Sequence, residues 1–488
     1  MSTNKFVSAM TTSDVRTENG MPTNSTSDSY LLDLFYTIGA ARNLSESEIV
    51  RIFRAAWDEN PQVTRWIMMY NRDVRGGQGE RRSFRIMLKE MANIVKLSDP
   101  EYNVVLSFIQ KVPKYGRWDD LFALIDTPYQ SYALSLIMDA LYRGDKLCAK
   151  WMPREGKAHH DWYKSLIGFI GITPKRYRKL LASCTKVVET SMCKQAWDEI
   201  EFGKIPSVAH NKYRKAFIKR CGTRYVEYIE AVKNGTQKIN AGAIFPHDIT
   251  KKIANSIDWK YSKMSATERN SVQAMWKALP DFVNEGVEFL PVIDVSGSMS
   301  GLPIQVAIAL GLYLSERNKT IFKNCFISFS ANPKFFKVTG DIVDKYVQVL
   351  TSEVGFNTNV KKVMELILTT ALGNNVPQSD MPKYLIFLSD MQFDEACSSI
   401  YSQYRVTSNY SPSIVELIKD MYYQAGYEVP QIIFWNLRAS SGIPVKMDER
   451  GFAEVSGFSP SLMRSILGES FTPLEMMYSV LNKYKEIL

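Results

Sequence analysis

The chain has 488 residues, 45% of them hydrophobic, which is enough to build more than one hydrophobic core. Its longest apolar stretches, such as QVAIALGLYL at 305–314, are shorter than the roughly 18 to 20 residues that cross a bilayer, and its first thirty residues lack the apolar core of a secretory signal. The charge is uneven, because residues 1–285 carry a net +12 and residues 286–488 a net −3. These features predict a cytoplasmic protein without membrane contact and a polyanionic partner for its first part.

A polar lead at residues 1–29 precedes a long helical region at residues 30–285. The segment SESEIVRIFRAAWDEN begins with a capping box, Ser45 and Glu48, and continues with apolar residues at helical spacing. Similar segments follow one another for about 250 residues, and a chain of that length seldom forms one simple bundle. We therefore expect a HEAT-like array of stacked helices, although the sequence shows no clear repeat period.

Two basic clusters in this region are candidates for RNA contacts. PKRYRKL surrounds Tyr177 with four cations, and a later helix repeats lysines at spacings of three and four. Cations neutralise phosphates and aromatic rings stack on unpaired bases. Such a cluster by itself is more often a solvated helix face, but the net charge of +12 on residues 1–285 favours RNA. The cations are Lys175, Arg176, Arg178, Lys179, Lys212, Lys215 and Lys219.

A glycine-rich stretch, RDVRGGQGERR, leaves two interpretations open. Its glycines could let backbone N–H groups approach a phosphate at the start of a helix. Alternatively, it is a turn between helices whose arginines pair with Asp119 and Asp120 in GRWDD. The arginines concerned are Arg72, Arg75, Arg81 and Arg82.

From about Glu288 the pattern changes to short apolar strands alternating with amphipathic helices. The strand candidates are EFLPVIDV, NCFISFS, KFFKVT, KYLIFLSD, QIIFWNL and FAEVSGF. Continuous apolar strands separated by helices are typical of a parallel sheet covered on both faces. Residues 286–488 are therefore predicted to be a doubly wound α/β domain, joined to the helical region through Leu279–Phe289.

Oxygen-bearing side chains follow three parts of this predicted sheet. Asp294, Ser296 and Ser298 follow the first strand, Thr358 precedes a helix, and Asp390 ends a later strand. In a doubly wound sheet these positions meet at the edge where ligands bind. Carboxylates and hydroxyls without His or Cys suit a hard divalent cation, so the sequence predicts a Mg²⁺ site.

Catalysis is not expected in residues 286–488. GSMSG has methionine where a nucleophile elbow requires serine, no histidine is present to act as a base, and no Walker A sequence occurs in the chain. A phosphotransferase would need a second aspartate in place of Ser296. The scattered cysteines and histidines predict neither a zinc site nor a disulfide framework.

The D-x-S-x-S motif, the loop threonine and the strand-end aspartate resemble the metal-ion-dependent adhesion site of a von Willebrand factor A domain. That resemblance implies direct ligation by Ser296, Ser298 and Thr358, with Asp294 and Asp390 holding metal-bound waters. An acidic residue of a protein partner would occupy the open coordination position.

The whole chain also resembles an uncharacterised family that couples a helical region to such a domain, with a layout similar to the Ro autoantigen (TROVE) family. The segments that carry this resemblance are NRDVRGGQGERRSFR, PKYGRWDDLFALI, AKWMPRE, KINAGAIFPHDI and DERGFAEVSGF. It implies a helical ring that binds non-coding RNA. The leading hypothesis is thus a non-enzymatic, Ro-like RNA-binding protein with Mg²⁺-dependent docking. The alternative is a scaffold without RNA, either recruiting a partner such as a ring ATPase or serving viral assembly.

Overall fold

The structure is a computed structural model, and the residues that it describes fold into two compact units. The first unit comprises residues 15–44, 55–59 and 244–482, and the second comprises residues 45–54, 60–243 and 483–486. The described residues are 15–185, 187–258, 261–330, 332–351, 359–394, 413–439, 442–465 and 471–486.

Every regular element that the structure describes between residues 45 and 243 is helical, as the periodicity predicts. Polar caps and prolines set several helix starts: Asn60 accepts the backbone N–H groups of Gln62 and Val63 ahead of Pro61, and Thr173 caps the helix that begins at Pro174. The helices are α2 (Glu46–Glu59), α3 (Pro61–Arg72), α4 (Arg82–Ile94), α5 (Tyr102–Tyr115), α6 (Gln130–Tyr142), α7 (Lys146–Trp151), α8 (His160–Ile170), α9 (Pro174–Cys184), α10 (Val188–Cys193) and α11 (Ser207–Lys233). Helix α1 (Tyr30–Ile38) precedes them in the first unit.

A six-stranded sheet forms the core of the first unit, and its strands are the six that the sequence predicts. Their spatial order is β10-β9-β8-β5-β6-β7, and all neighbours are parallel except β6 and β7. The strands are β5 (Phe289–Asp294), β6 (Cys325–Phe329), β7 (Phe335–Lys337), β8 (Tyr384–Ser389), β9 (Gln431–Asn436) and β10 (Phe452–Ser456).

Helices cover both faces of this sheet, as a sheet of buried parallel strands requires. One face packs on α16 (Val360–Gly373) and α17 (Ile414–Ala425), and the other packs on α14 (Leu302–Arg317). Gly311 of α14 lies so close to the sheet that a Cβ atom there would be 2.2 Å from Cδ1 of Ile293. The remaining helices of this unit are α12 (Pro246–Ala254), α13 (Ala266–Lys277), α15 (Ile342–Thr351) and α18 (Pro473–Lys485), of which α18 ends in the second unit.

Segments outside the predicted α/β domain also pack in the first unit. Helix α12 contacts α14, and residues 15–24 form a hairpin of β1 (Val15–Arg16) and β2 (Pro22–Thr23). A second short hairpin joins β3 (Ile257–Asp258) to β4 (Tyr261–Ser262). The predicted junction at Leu279–Phe289 therefore lies inside the first unit. No helix among the described residues is both long and apolar enough to span a membrane.

Candidate metal centre

Two adjacent strands bring the predicted acidic residues together at the carboxyl edge of the sheet. β5 and β8 pair in parallel, with Ile293 opposite Leu388. Asp294 ends β5, while Ser389 ends β8 and Asp390 follows it. Both aspartates are fully buried, because the strands beneath them are buried on both faces.

Asp294 lies in a network of hydroxyl and amide donors. Its Oδ1 atom accepts the backbone N–H of Ser296 at 2.9 Å, and its Oδ2 atom accepts the Ser389 hydroxyl at 2.5 Å. The Ser296 and Ser298 hydroxyls lie 3.0 Å apart. Burial, and then the charge of Asp390, raises the pKa of Asp294 to about 7. A negative charge on Asp294 is therefore costly near neutral pH unless a cation offsets it.

Asp390 begins a tight loop in which its own carboxylate bonds the backbone. Its Oδ1 atom accepts the backbone N–H of Gln392 at 3.2 Å, and Met391 between them has a φ of 63°. Burial raises the pKa of Asp390, whereas a hydrogen bond from Ser298 and the nearby charge of Arg438 oppose that shift. The side chains of Asp294, Ser296, Ser298 and Asp390 therefore meet, as the sequence predicts.

The donor set fits a hard divalent cation, because every candidate ligand atom is a carboxylate or hydroxyl oxygen. The site has two carboxylates, those of Asp294 and Asp390, and its other oxygen atoms are hydroxyls. The described residues contain no cluster of three or more His, Cys, Asp or Glu side chains that could hold a metal. Thr358, the fifth predicted ligand, lies outside the described residues. The sequence analysis missed Ser389, whose signal was its place beside Asp390 at the end of an apolar strand.

The N-terminal hairpin packs on the loop that follows Asp390. The Thr17 hydroxyl donates to the carbonyl of Phe393 at 2.7 Å, and the backbone N–H of Glu18 donates to the Gln392 side chain at 2.6 Å. This contact brings the exposed Glu18 carboxylate near enough for its charge to raise the pKa of Asp390, after burial as the larger cause. The predicted polar lead thus includes a segment that lies beside the candidate site.

In the second unit, the glycine-rich stretch is a turn rather than a phosphate cradle. Asp73 accepts the backbone N–H groups of Arg75 and Gly76 at 2.9 and 3.2 Å, and its backbone carbonyl accepts those of Gly77 and Gly79. These amides are therefore already bonded within the loop. A Cβ atom on Gly77 would lie 2.0 Å from the Tyr70 carbonyl oxygen, which explains glycine there.

Arg72 is wrongly placed among the candidate RNA contacts. Its guanidinium is 1% exposed and bonds Asp120 at 2.6 Å, and Arg85 bonds the other oxygen of the same carboxylate at 2.8 Å. A buried, ion-paired guanidinium cannot reach a phosphate without leaving a buried carboxylate uncompensated. Arg81 and Arg82 are exposed, and Arg75 is exposed with one bond to the Lys114 carbonyl.

The lysine clusters of α9 and α11 lie at the surface, whereas their aromatic partner does not. Tyr177 is 1% exposed and donates its hydroxyl to the Pro153 carbonyl, so it is a core residue and no platform for a base. Arg178 is exposed and pairs with Glu155 at 2.8 Å. The other exposed cations of the two clusters are Lys175, Arg176, Lys179, Lys212, Lys215 and Lys219.

Two family models match the chain, and both describe domains of unknown function. One, DUF2828, matches residues 17–125 and 173–286, and the other, DUF7788, matches residues 288–484. The chain is also similar to an uncharacterized protein, L728, of Acanthamoeba polyphaga mimivirus. The two are 29% identical over 527 residues, which cover 96% of this chain and 87% of the viral protein.

These matches correct the family assignment made from the motifs. Neither the Ro (TROVE) family nor the von Willebrand factor A family is among the matching family models, so that resemblance is wrong. The motif at Asp294 misled because a D-x-S-x-S turn after a parallel strand is short, and similar oxygen clusters arise at the carboxyl edges of many doubly wound sheets.

Proposed function

We propose that the first unit is a docking module that binds an acidic group of a protein partner through a divalent cation, with Mg²⁺ the expected ion. The observation that supports this proposal is the buried pair of aspartates at the sheet edge. Asp294 forms no ion pair with any described residue, although burial makes its charge costly. A bound dication would offset that cost.

The roles of the side chains follow from their positions. Asp294 and Asp390 supply the negative charge that attracts the ion, and the strands beneath them fix the separation of the two carboxylates. Ser296 and Ser298 present neutral hydroxyls from the loop after β5, so they add oxygen ligands without adding charge. The bound ion would supply an open, positively charged coordination position for an anionic group. We propose binding and no reaction at this position.

Asp294→Asn in the full chain tests this proposal. The amide keeps the size of the carboxylate and can still accept the Ser296 N–H group, but it removes the charge. We expect Mg²⁺ affinity, measured by isothermal titration calorimetry, to fall by about 10- to 100-fold. Asp380→Asn, at an exposed carboxylate in the same unit, serves as the control and should leave the affinity unchanged. Equal Mg²⁺ affinity in the two variants would refute the proposed site.

A second candidate function, RNA binding by the second unit, is favoured by the exposed cations of α9 and α11. Lys212, Lys215 and Lys219 recur at three- and four-residue spacing, and all three are exposed on one face of α11. Such a row can follow a phosphate backbone, and its contribution to affinity depends on salt. The helices of the second unit would hold this surface in place.

Salt-dependent binding of a labelled single-stranded RNA to the full chain tests the second function. Replacing the three lysines of α11 with glutamine should reduce the slope of log affinity against log salt by roughly 2, because about 0.7 is lost for each phosphate contact. The control replaces three exposed lysines of the first unit, Lys277, Lys323 and Lys383. Identical slopes in both variants would refute RNA binding by α11.

A further inference from the structure

Arg438 lies beside the candidate metal centre, on the loop that follows β9. Its backbone N–H donates to the Asn436 side chain at 2.9 Å, which holds the start of the loop against the sheet edge. Its Nη1 atom donates to the backbone carbonyl of Ser298 at 2.9 Å. The guanidinium is therefore tied to the loop that carries two of the candidate ligands.

The other donors of this guanidinium have no hydrogen-bond partner within the described part of the chain. They are its Nε and Nη2 atoms, and Arg438 itself is exposed. An arginine presents its N–H groups in a planar fork that matches the two oxygens of an oxyanion. While Nη1 is bonded to the Ser298 carbonyl, the Nε and Nη2 donors lie next to the position proposed for the partner's acidic group.

Charge balance favours a carboxylate over a phosphate at this position. Asp294 and Asp390 together neutralise a divalent cation, so Arg438 leaves the site with one positive charge in excess. A carboxylate carries one negative charge and neutralises that excess, whereas a phosphate monoester near pH 7 carries close to two and leaves the site negative. The exposed Glu18 carboxylate nearby offsets part of that excess, so the second negative charge of a phosphate is still less favourable.

We propose that Arg438 is the specificity residue of the docking site, binding one oxygen of a partner's Asp or Glu side chain while the cation binds the other. This inference rests on the proposed cation site and names the chemical class of its ligand. It also gives Arg438 two opposite effects. The guanidinium repels the dication before the partner binds and attracts the carboxylate afterwards.

The experiment measures Mg²⁺ affinity of the full chain by calorimetry in sodium chloride, sodium acetate and sodium phosphate at equal ionic strength. In the unmodified protein, acetate should tighten Mg²⁺ binding by at least about fivefold, as expected for two coupled ligands. Arg438→Gln should bind Mg²⁺ as tightly or more tightly in chloride, and acetate should then have no effect. Arg450→Gln, at an exposed cation of the same unit, controls for the loss of one charge.

The outcomes separate the two proposals. Absence of Mg²⁺ binding in the unmodified protein would overturn the cation site itself. Normal Mg²⁺ binding with full acetate coupling in Arg438→Gln would overturn only the role of Arg438, and coupling to phosphate without coupling to acetate would overturn the carboxylate assignment. Arg438→Lys, which keeps the charge but loses the planar fork, should bind Mg²⁺ in chloride about as tightly as the unmodified protein does and should lose most of the acetate effect. It provides the same test if the glutamine variant does not fold.

Discussion

Glu454 offers a direct test of the energetics of the sheet, because it is a carboxyl group buried within β10. It is 0% exposed, and its Oε1 atom accepts the backbone N–H of Val445 at 2.7 Å. Its Oε2 atom has no hydrogen-bond partner among the described residues. Burial, as the largest cause, raises the pKa of Glu454 well above the usual 4.5.

The sign of the pH dependence follows from this raised pKa. The folded protein binds the proton of Glu454 more tightly than the unfolded chain does, so its contribution to stability is fully present below pH 4.5 and is lost as the pH rises toward the folded pKa. The loss approaches about 1.4 kcal/mol for each pH unit in that window. Glu454→Gln has nearly the same shape and cannot ionise.

We therefore expect the glutamine variant to match the unmodified protein near pH 4.5 and to become more stable by roughly 1 to 3 kcal/mol between pH 5 and pH 7. Urea unfolding followed by circular dichroism at each pH measures the difference. Glu475→Gln provides a control of opposite sign, because the backbone N–H of Thr472 lowers the pKa of this exposed carboxylate. Free energies of unfolding that run parallel for Glu454→Gln and the unmodified protein from pH 5 to pH 8 would refute the reasoning.

Three further predictions concern packing, the buried ion pair and metal removal. Gly311→Ala should destabilise the protein by about 1 to 3 kcal/mol in urea unfolding, because the new methyl group would overlap Ile293. The control Gly373→Ala should not destabilise the protein, because a Cβ atom there meets no atom within 4 Å. Arg72→Met should cost about 3 kcal/mol or more, since it removes one of the two arginines that pair with the buried Asp120, whereas Arg81→Met at an exposed site should change stability by less than about 0.5 kcal/mol. Adding Mg²⁺ at about 100 times its dissociation constant should stabilise the first unit by about 2.7 kcal/mol, and chelation with EDTA should reverse this gain; an unchanged unfolding midpoint would contradict the cation site.

The alternation of strands and helices in residues 286–488 could be predicted, because each of the six strands is a short, nearly continuous run of apolar residues. Strands buried on both faces need apolar residues at nearly every position, and such a run is visible in a short stretch of sequence. The meeting of Asp294 with Asp390 follows from the same reasoning, since strand ends in a parallel sheet share one edge. Ser389 was missed although it stands beside Asp390 at the end of an apolar strand, and Arg438 was missed because an arginine after a strand has no distinctive local pattern.

The glycine-rich stretch shows the opposite case, in which local sequence supports two structures equally. Glycines flanked by arginines suit both a phosphate loop and a tight turn, and the choice depends on a distant carboxylate. Asp120, 48 residues after Arg72, takes that guanidinium into the interior, and Asp73 takes the loop amides. Long-range pairing of this kind is absent from any short window of sequence.

The sequence by itself determined the helical character of residues 45–243, the strands of the sheet and the oxygen-rich edge, because periodicity and burial act within a few neighbouring residues. Tertiary structure alone decided which cations are buried, that the N-terminal hairpin lies beside Asp390, and that Arg438 bonds the Ser298 carbonyl across 140 residues of chain. Those outcomes depend on side chains that are far apart in sequence and compete for the same partners, and only the folded backbone fixes which of them are within reach.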